Sequence, residues 1–131
     1  MTSAAKSKEL VVEAVNRVGL LSEIGGVIAN AKVNLKSICC FCTGNQATFM
    51  FQVDRHVAAA KALRKAGYKV SDQPVIVVDL QNKPGELARA AAKVSALGVD
   101  IDYVYATAAG RAVTAVFKTR DDAKALKALK E

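Results

Sequence analysis

The sequence has no tryptophan, one histidine and two prolines, and aromatic residues make up only 5% of its 131 positions. A hydrophobic fraction of 52% with so few aromatics predicts a core of Val, Ala and Leu rather than an aromatic-lined pocket. No nucleophile–base set or phosphate-loop motif is present. The only paired carboxylates, Asp121 and Asp122, are interpreted as helix capping. We therefore expect a protein that is not an enzyme and needs no cofactor.

Long hydrophobic runs are also absent. No apolar stretch approaches the roughly 18 residues that a membrane helix needs, and residues 1–8 lack the apolar segment of a signal peptide. We expect a soluble cytoplasmic protein without a membrane partner. The net charge of +7 and the pI of about 9.5 raise the possibility of an anionic partner. Because the Lys and Arg residues alternate with Ala and Leu at helix positions, a solvated helix face is the simpler interpretation.

Cysteines occur only at Cys39, Cys40 and Cys42. Successive strand residues point to opposite faces, which predicts that Cys40 and Cys42 share one face and Cys39 lies on the other. A zinc site needs about four N or S ligands, and His56 is the only histidine. We therefore predict small apolar strand residues with free thiols, and no bound metal.

The chain carries an internal repeat. A shift of 66 positions places Asn16-Arg17-Val18-Gly19-Leu20-Leu21 on Asn82-Lys83-Pro84-Gly85-Glu86-Leu87, and Val33-Asn34-Leu35 on Val99-Asp100-Ile101. A fixed period defines the unit of folding. The prediction is two copies of one small domain, residues 8–72 and 73–131.

The hydrophobic periodicity assigns elements to each copy. In the first copy it predicts strands at 10–15, 33–43, 47–53 and 68–70 and helices at 20–31 and 55–66, with 71–73 as a linker. Asp54 is the expected N-cap of the second helix, and Gly25-Gly26 within the first helix suggests close approach of another backbone. In the second copy it predicts strands at 75–80, 99–106 and 112–118 and helices at 86–97 and 121–130.

This order predicts an α+β fold of two ferredoxin-like βαββαβ units, each an antiparallel sheet with its helices on one face. The second copy lacks a final strand of its own, so that unit is incomplete or borrows a strand. The uncovered sheet face and the unpaired edge favour side-by-side pairing of the two sheets and formation of a homodimer.

The loop between the first strand and the first helix carries the chemistry. Pro84 suits a first helical turn, and Gly85 allows close approach of a ligand to the backbone. The following amides, at Glu86 and Leu87, begin a helix and attract a carboxylate or phosphate. An asparagine, Asn82 or Asn16, supplies a donor and an acceptor beside them. A free amino acid fits this arrangement, and a plain strand-to-helix turn is the alternative.

These segments, with Gly98-Val99-Asp100-Ile101, resemble the ACT domain, and the resemblance covers about residues 10–129. It implies βαββαβ regulatory units that bind amino acids where two units meet, so the chain resembles a tandem ACT sensor that acts on an unidentified regulated protein. The ligand-binding positions that it implies are Asn16, Val18, Gly19, Leu20, Leu21, Asn34, Asn82, Pro84, Gly85, Glu86, Leu87 and Asp100. Because Val18 replaces proline and Glu86 places a carboxylate in the second loop, we expect two different sites, with the Gly19 loop as the one that binds.

Two other functions remain open. RNA-recognition domains share the split βαβ order and stack bases on sheet aromatics. Here Phe49, Phe51 and Phe117 fit core packing better. A metal chaperone of this topology needs cysteines in the first loop, and both loops lack them. A protein-interaction or assembly module without a ligand is the remaining alternative.

Overall fold

The computed structural model describes residues 3–131 and confirms the α+β class with repeated βαββαβ units. Six strands and four helices follow one another along this part of the chain. Their bounds are β1 Ser3–Val15, α1 Leu20–Asn30, β2 Leu35–Thr43, β3 Gln46–Val53, α2 His56–Lys65, β4 Lys69–Gln81, α3 Glu86–Ser95, β5 Ile101–Ala109, β6 Ala112–Thr119 and α4 Asp122–Leu129.

The chain forms two compact units. The first unit is Glu9–Gln73, and the second unit is Pro74–Glu131 together with the N-terminal segment up to Lys8. The strands β1 and β4, of 13 residues each, contribute to both units. The prediction of a linker at 71–73 is therefore wrong. Those residues continue β4 without a break, because their backbone belongs to the sheet.

In the first unit the strands follow the order β2-β3-β1-β4, with β3 antiparallel to both β1 and β2. The alternate residues Leu10, Val12, Phe49 and Phe51 face the helices, as the period of two along a strand requires. They pack against Ile24, Ile28 and Leu63 to form the core of this unit. Phe49 and Phe51 are almost fully buried there, which confirms the prediction of core packing.

In the second unit the order is β1-β4-β6-β5, with β6 antiparallel to β4 and β5. Ile76, Val78, Val94 and Phe117 form its core with Leu129. The missing last strand is borrowed: residues 3–8 of β1 belong to this unit. Ser3 Oγ lies 3.4 Å from Asp79 Oδ2, and Ala4 packs against the core.

The N-cap of α2 differs from the prediction. Asp54 is not the N-cap of α2, because the cap position is Arg55, without a capping side chain. The Asp54 carboxylate instead accepts hydrogen bonds from the backbone and side chain of Asn34, at 3.0 and 3.3 Å. Asp121 does cap α4, accepting from the amide of Lys124 at 3.1 Å.

Within the part of the chain that the structure describes, the glycine pair in α1 does not mark a close backbone approach. A Cβ placed on Gly25 or Gly26 would meet no atom within 4 Å, so the expectation of tight packing at this point is wrong. Among the residues from 3 onward, no helix is long and apolar enough to cross a lipid bilayer.

Candidate functional site

The strand-to-helix loop of the first unit is built around a left-handed glycine. Gly19 has φ 89° and ψ 0° and occupies the N-cap position of α1. The amide of Asn16 donates to the carbonyl of Asn45 at 2.6 Å, which ties the loop to the turn between β2 and β3. Leu20, the first helical residue, is buried and belongs to the core of this unit. The next two amides, at Leu21 and Ser22, belong to a first turn whose N–H groups lack intrahelical acceptors.

The second unit repeats this geometry. Gly85 has φ 86° and ψ −6° at the N-cap of α3, and the amide of Asn82 donates to the carbonyl of Arg111 at 2.9 Å. Pro84 therefore lies before the cap and not in the first helical turn, so that expectation is wrong. The left-handed turn at Gly85 separates Pro84 from the helix. Only glycine adopts this conformation without strain, which explains why both loops carry it.

A concavity of about 270 Å³ lies beside the first loop. It is bounded by the loop, the first turn of α1, the C-terminal end of β2 and the N-terminal end of β3. Its lining residues are Asn16, Arg17, Gly19, Leu20, Leu21, Ser22, Cys40, Phe41, Cys42, Ala47 and Phe49. This volume lies near the lower limit for small-molecule sites, which suits a ligand the size of an amino acid.

The second loop borders a corresponding concavity of about 380 Å³. It lies between the loop, the first turn of α3 and the hairpin of β5 and β6. Its lining residues are Leu80, Gln81, Asn82, Lys83, Gly85, Glu86, Leu87, Ala88, Ala106, Thr107, Ala108 and Val113. The repeat in sequence is therefore also a repeat of concave surface.

Four of the predicted site residues lie outside these concavities. Val18 is fully exposed and lines neither, and Pro84 is also absent from both linings. Asn34 lies just before β2. The loop contacts Asn45, which lies just after β2, at the opposite end of that strand. The nine residues of β2 span roughly 30 Å. Asp100 precedes β5 in the same way and accepts a bond from the amide of Ile101. Within their own units, Asn34 and Asp100 thus stay apart from the loops.

The predicted list omitted the ends of the second strands. Cys40, Phe41 and Cys42 line the first concavity, and Ala106, Thr107 and Ala108 line the second. The order of the elements could have predicted these residues. In a split βαβ order the second strand ends at the same end of the sheet as the first strand-to-helix loop, so its last residues lie beside that loop.

The first site carries a bridged charge pair. Arg17 forms an ion pair with Glu23 in the first turn of α1, and the hydroxyl of Tyr68 donates to the other carboxylate oxygen of Glu23. The hydrogen bond from Tyr68, followed by that from Arg17, lowers the pKa of Glu23. The same ion pair raises the pKa of Arg17. The guanidinium is thus held at the rim of the concavity by a carboxylate that stays ionised.

The second site has a different charge arrangement. The carboxylate of Glu86, the first residue of α3, accepts from Arg89 Nη1 at 2.7 Å. A negative charge therefore already occupies the helix start, where it is favoured by the helix dipole. The amide nitrogen of Asn82 donates to the carbonyl of Gly110 at 2.9 Å.

The cysteines follow the predicted alternation. Cys40 and Cys42 pair with Phe49 and Ala47 on the helix-facing side of the sheet, whereas Cys39 pairs with Met50 on the other. All three are free thiols, and burial raises the pKa of Cys39. Among residues 3–131 no group of three or more His, Cys, Asp or Glu side chains comes together as a metal site.

Comparison with known proteins assigns the chain to one family. A family model described as an ACT domain pair matches residues 6–130. Protein BT0572 from Bacteroides thetaiotaomicron is 28% identical, with a TM-score of 0.92 over 97% of this chain and 88% of that one. The ligand-free regulatory subunit of aspartate kinase from Thermus thermophilus is 15% identical, with a TM-score of 0.71 over 96% and 93%. No curated protein matches.

Proposed function

Because the chain belongs to the ACT domain pair family, we propose that it is a non-catalytic sensor that binds a free amino acid at its strand-to-helix loops. The observation that carries the proposal is the concavity beside each glycine-capped helix start. The fold is shared with a regulatory subunit of aspartate kinase. That likeness supports a regulatory role without naming the ligand.

The first loop suits both charged groups of an amino acid. The first-turn amides of Leu21 and Ser22 attract a carboxylate, and Arg17 at the rim adds a cation. An ammonium group finds an oxygen acceptor on the side chain of Asn16, which lines the concavity. The apolar walls, with Phe41, Ala47 and Phe49, leave room for a side chain. We therefore propose that this site binds, as the sequence suggests.

The second loop is proposed as the weaker amino-acid site. The carboxylate of Glu86 stands at the helix start where a ligand carboxylate would lie. Arg89 offsets only part of that charge, because the Arg89 side chain is largely exposed to solvent. Like charges at one helix start repel each other, so a zwitterion loses its anchor there. We therefore propose that the first site binds the amino acid more tightly than the second.

The regulatory step is proposed as a shift in assembly. An uncovered sheet face and edge favour a homodimer. The bound amino acid would favour one arrangement of the dimer, and a regulated protein in the cytoplasm would recognise that arrangement. An assembly module without a ligand is the competing function. An RNA platform is disfavoured because Phe49, Phe51 and Phe117 are buried in the cores.

Calorimetry and thermal-shift screening of the native chain against the twenty amino acids at millimolar concentration test this function. We expect one chemical class to raise the unfolding midpoint. Leu21→Glu, at a half-exposed position in the concavity, should abolish the effect by repelling the ligand carboxylate. Val18→Glu is the matched control, because Val18 is exposed outside the concavity. Lack of stabilisation by every amino acid would leave the assembly module as the better explanation.

A further inference from the structure

A second cleft of about 480 Å³ lies beside the loop of the second unit, and five residues line it. They are Gln81, Asn82, Lys83, Gly110 and Arg111. Two of these five residues are cationic, none is acidic and none is aromatic. The cleft shares the loop with the concavity at Gly85, but its other wall is the turn between β5 and β6.

Among residues 3–131, neither cation has an acidic partner. Every ion pair there involves other basic side chains, and the hydrogen bonds of Lys83 and Arg111 are made by their backbones only. Two like charges placed in one cleft without a counter-charge raise the local positive potential and attract small anions.

The walls of this cleft are fixed by Asn82. Its backbone amide donates to the carbonyl of Arg111 at 2.9 Å, and its side-chain amide donates to the carbonyl of Gly110, also at 2.9 Å. These two bonds join the loop to the turn. The backbones that carry the two cations are therefore held together before any ligand binds, which reduces the entropy lost on binding.

The first unit lacks this arrangement at the corresponding positions. The residue that matches Lys83 is Arg17, and its charge is paired with Glu23. The residue that matches Arg111 is Asn45, which is neutral. The paired cations are therefore not a consequence of the repeated fold. They belong to the second unit alone.

We propose that this cleft binds a small dianion, a phosphate group or a dicarboxylate, held by Lys83 and Arg111. The guanidinium of Arg111 matches two oxygens of such a group, and the ammonium of Lys83 supplies a point charge. The ligand is a small molecule and not a nucleic acid, because two cations without a stacking aromatic do not form a single-strand platform. This inference goes beyond the proposed function, which concerns zwitterions at the glycine-capped helix starts.

The test is an NMR titration of the ¹⁵N-labelled full chain with inorganic phosphate, with succinate and with glycine at constant ionic strength. We expect phosphate and succinate to give saturable shifts at the amides of Asn82, Lys83, Gly110 and Arg111, and glycine to give none there. Lys83→Gln and Arg111→Gln should each weaken phosphate binding about fivefold, as expected for one exposed charge. The double variant should not saturate.

Lys61→Gln, on the exposed side of α2, is the matched control and should bind phosphate like the native chain. The inference is overturned if the double variant keeps its affinity, or if all lysine-rich surfaces shift equally. It is also overturned if a single-stranded oligonucleotide binds the same amides more tightly than phosphate. The Leu21→Glu variant reports on the first unit, whereas Lys83→Gln and Arg111→Gln report on the second. Failure here and failure of the proposed function therefore give different results.

Discussion

The carboxylate of Glu23 accepts a hydrogen bond from the hydroxyl of Tyr68, 45 residues later in the chain. The bond joins the first turn of α1 to the residue that leads from α2 into β4, while Arg17 holds the other carboxylate oxygen. It therefore fixes the rim of the first concavity. Burial, followed by the bond to Glu23, raises the pKa of Tyr68, so the phenol stays protonated and continues to donate at neutral pH.

This bridge predicts a pH dependence of folding stability. The folded-state pKa of Glu23 lies below its ordinary value of about 4.3. Its contribution is therefore complete above that pH and is lost as the pH falls through the folded-state pKa. Comparing the free energy of unfolding of native protein and Glu23→Gln in urea, from pH 7 to pH 3, should show a smaller acid loss in the variant. Tyr68→Phe should lie between them. Parallel pH profiles would show that the bridge contributes nothing.

A second carboxylate, Asp122, should matter more for stability. It accepts from the amide and hydroxyl of Thr119, at 3.0 and 2.7 Å, and from Lys118 Nζ at 2.9 Å. Burial alone would raise the pKa of Asp122, but the bonds from Thr119 and Lys118 outweigh it and lower the pKa. Asp122→Ala should reduce the free energy of unfolding by about 1–3 kcal/mol at pH 7.

The control for that measurement is Asp102→Ala, which removes an ion pair with Arg120. Because the Arg120 side chain is largely exposed, this pair should contribute less than about 1 kcal/mol. Equal effects of the two substitutions in urea unfolding would contradict the importance given to the bonds from Thr119.

The sequence predicts most of the helices and strands because their periodicity is local. The 66-residue repeat also locates both glycine-capped loops. The features that the sequence does not predict depend on contacts between segments that are distant along the chain. Residues 71–73 are polar and look like a linker, yet they pair within a sheet. Asn34 and Asp100 follow from family resemblance, whereas Cys40 and Ala106 enter the concavities only because hairpin turns place them there.

The borrowed strand of the second unit gives a truncation prediction. Deleting residues 1–8 removes the segment that lies beside β4 and packs Ala4 on that core. We expect faster amide exchange in β4 and β6 of the second unit, with the α1 and α2 amides of the first unit much less affected. Ser3→Ala, which removes only the bond to Asp79, is the control and should leave exchange unchanged. Uniform protection after the deletion would show that residues 3–8 add no stability.

The left-handed glycines predict a stability cost without any steric clash. A Cβ on Gly19 or Gly85 would meet nothing within 4 Å, so the cost of alanine is conformational. Each of the substitutions Gly19→Ala and Gly85→Ala should reduce the free energy of unfolding by about 1–2 kcal/mol. Gly26→Ala, inside α1 and equally open, should instead stabilise by about 0.5–1 kcal/mol. Destabilisation by all three in thermal or urea unfolding would contradict this explanation.

The thiols offer a direct measure of whether the first concavity is occupied. Cys40 and Cys42 are exposed and line it, whereas Cys39 points to the other sheet face and has a pKa raised by burial. Because the thiolate reacts, iodoacetamide at pH 8 should alkylate Cys40 and Cys42 faster than Cys39. An amino acid that stabilises the protein should slow the first two reactions several-fold and leave Cys39 unchanged, as measured by mass spectrometry of peptides over time. In Leu21→Glu the protection should disappear while the rates without ligand stay close to native. Protection of Cys39 alone, or of none of the three, would place the ligand elsewhere.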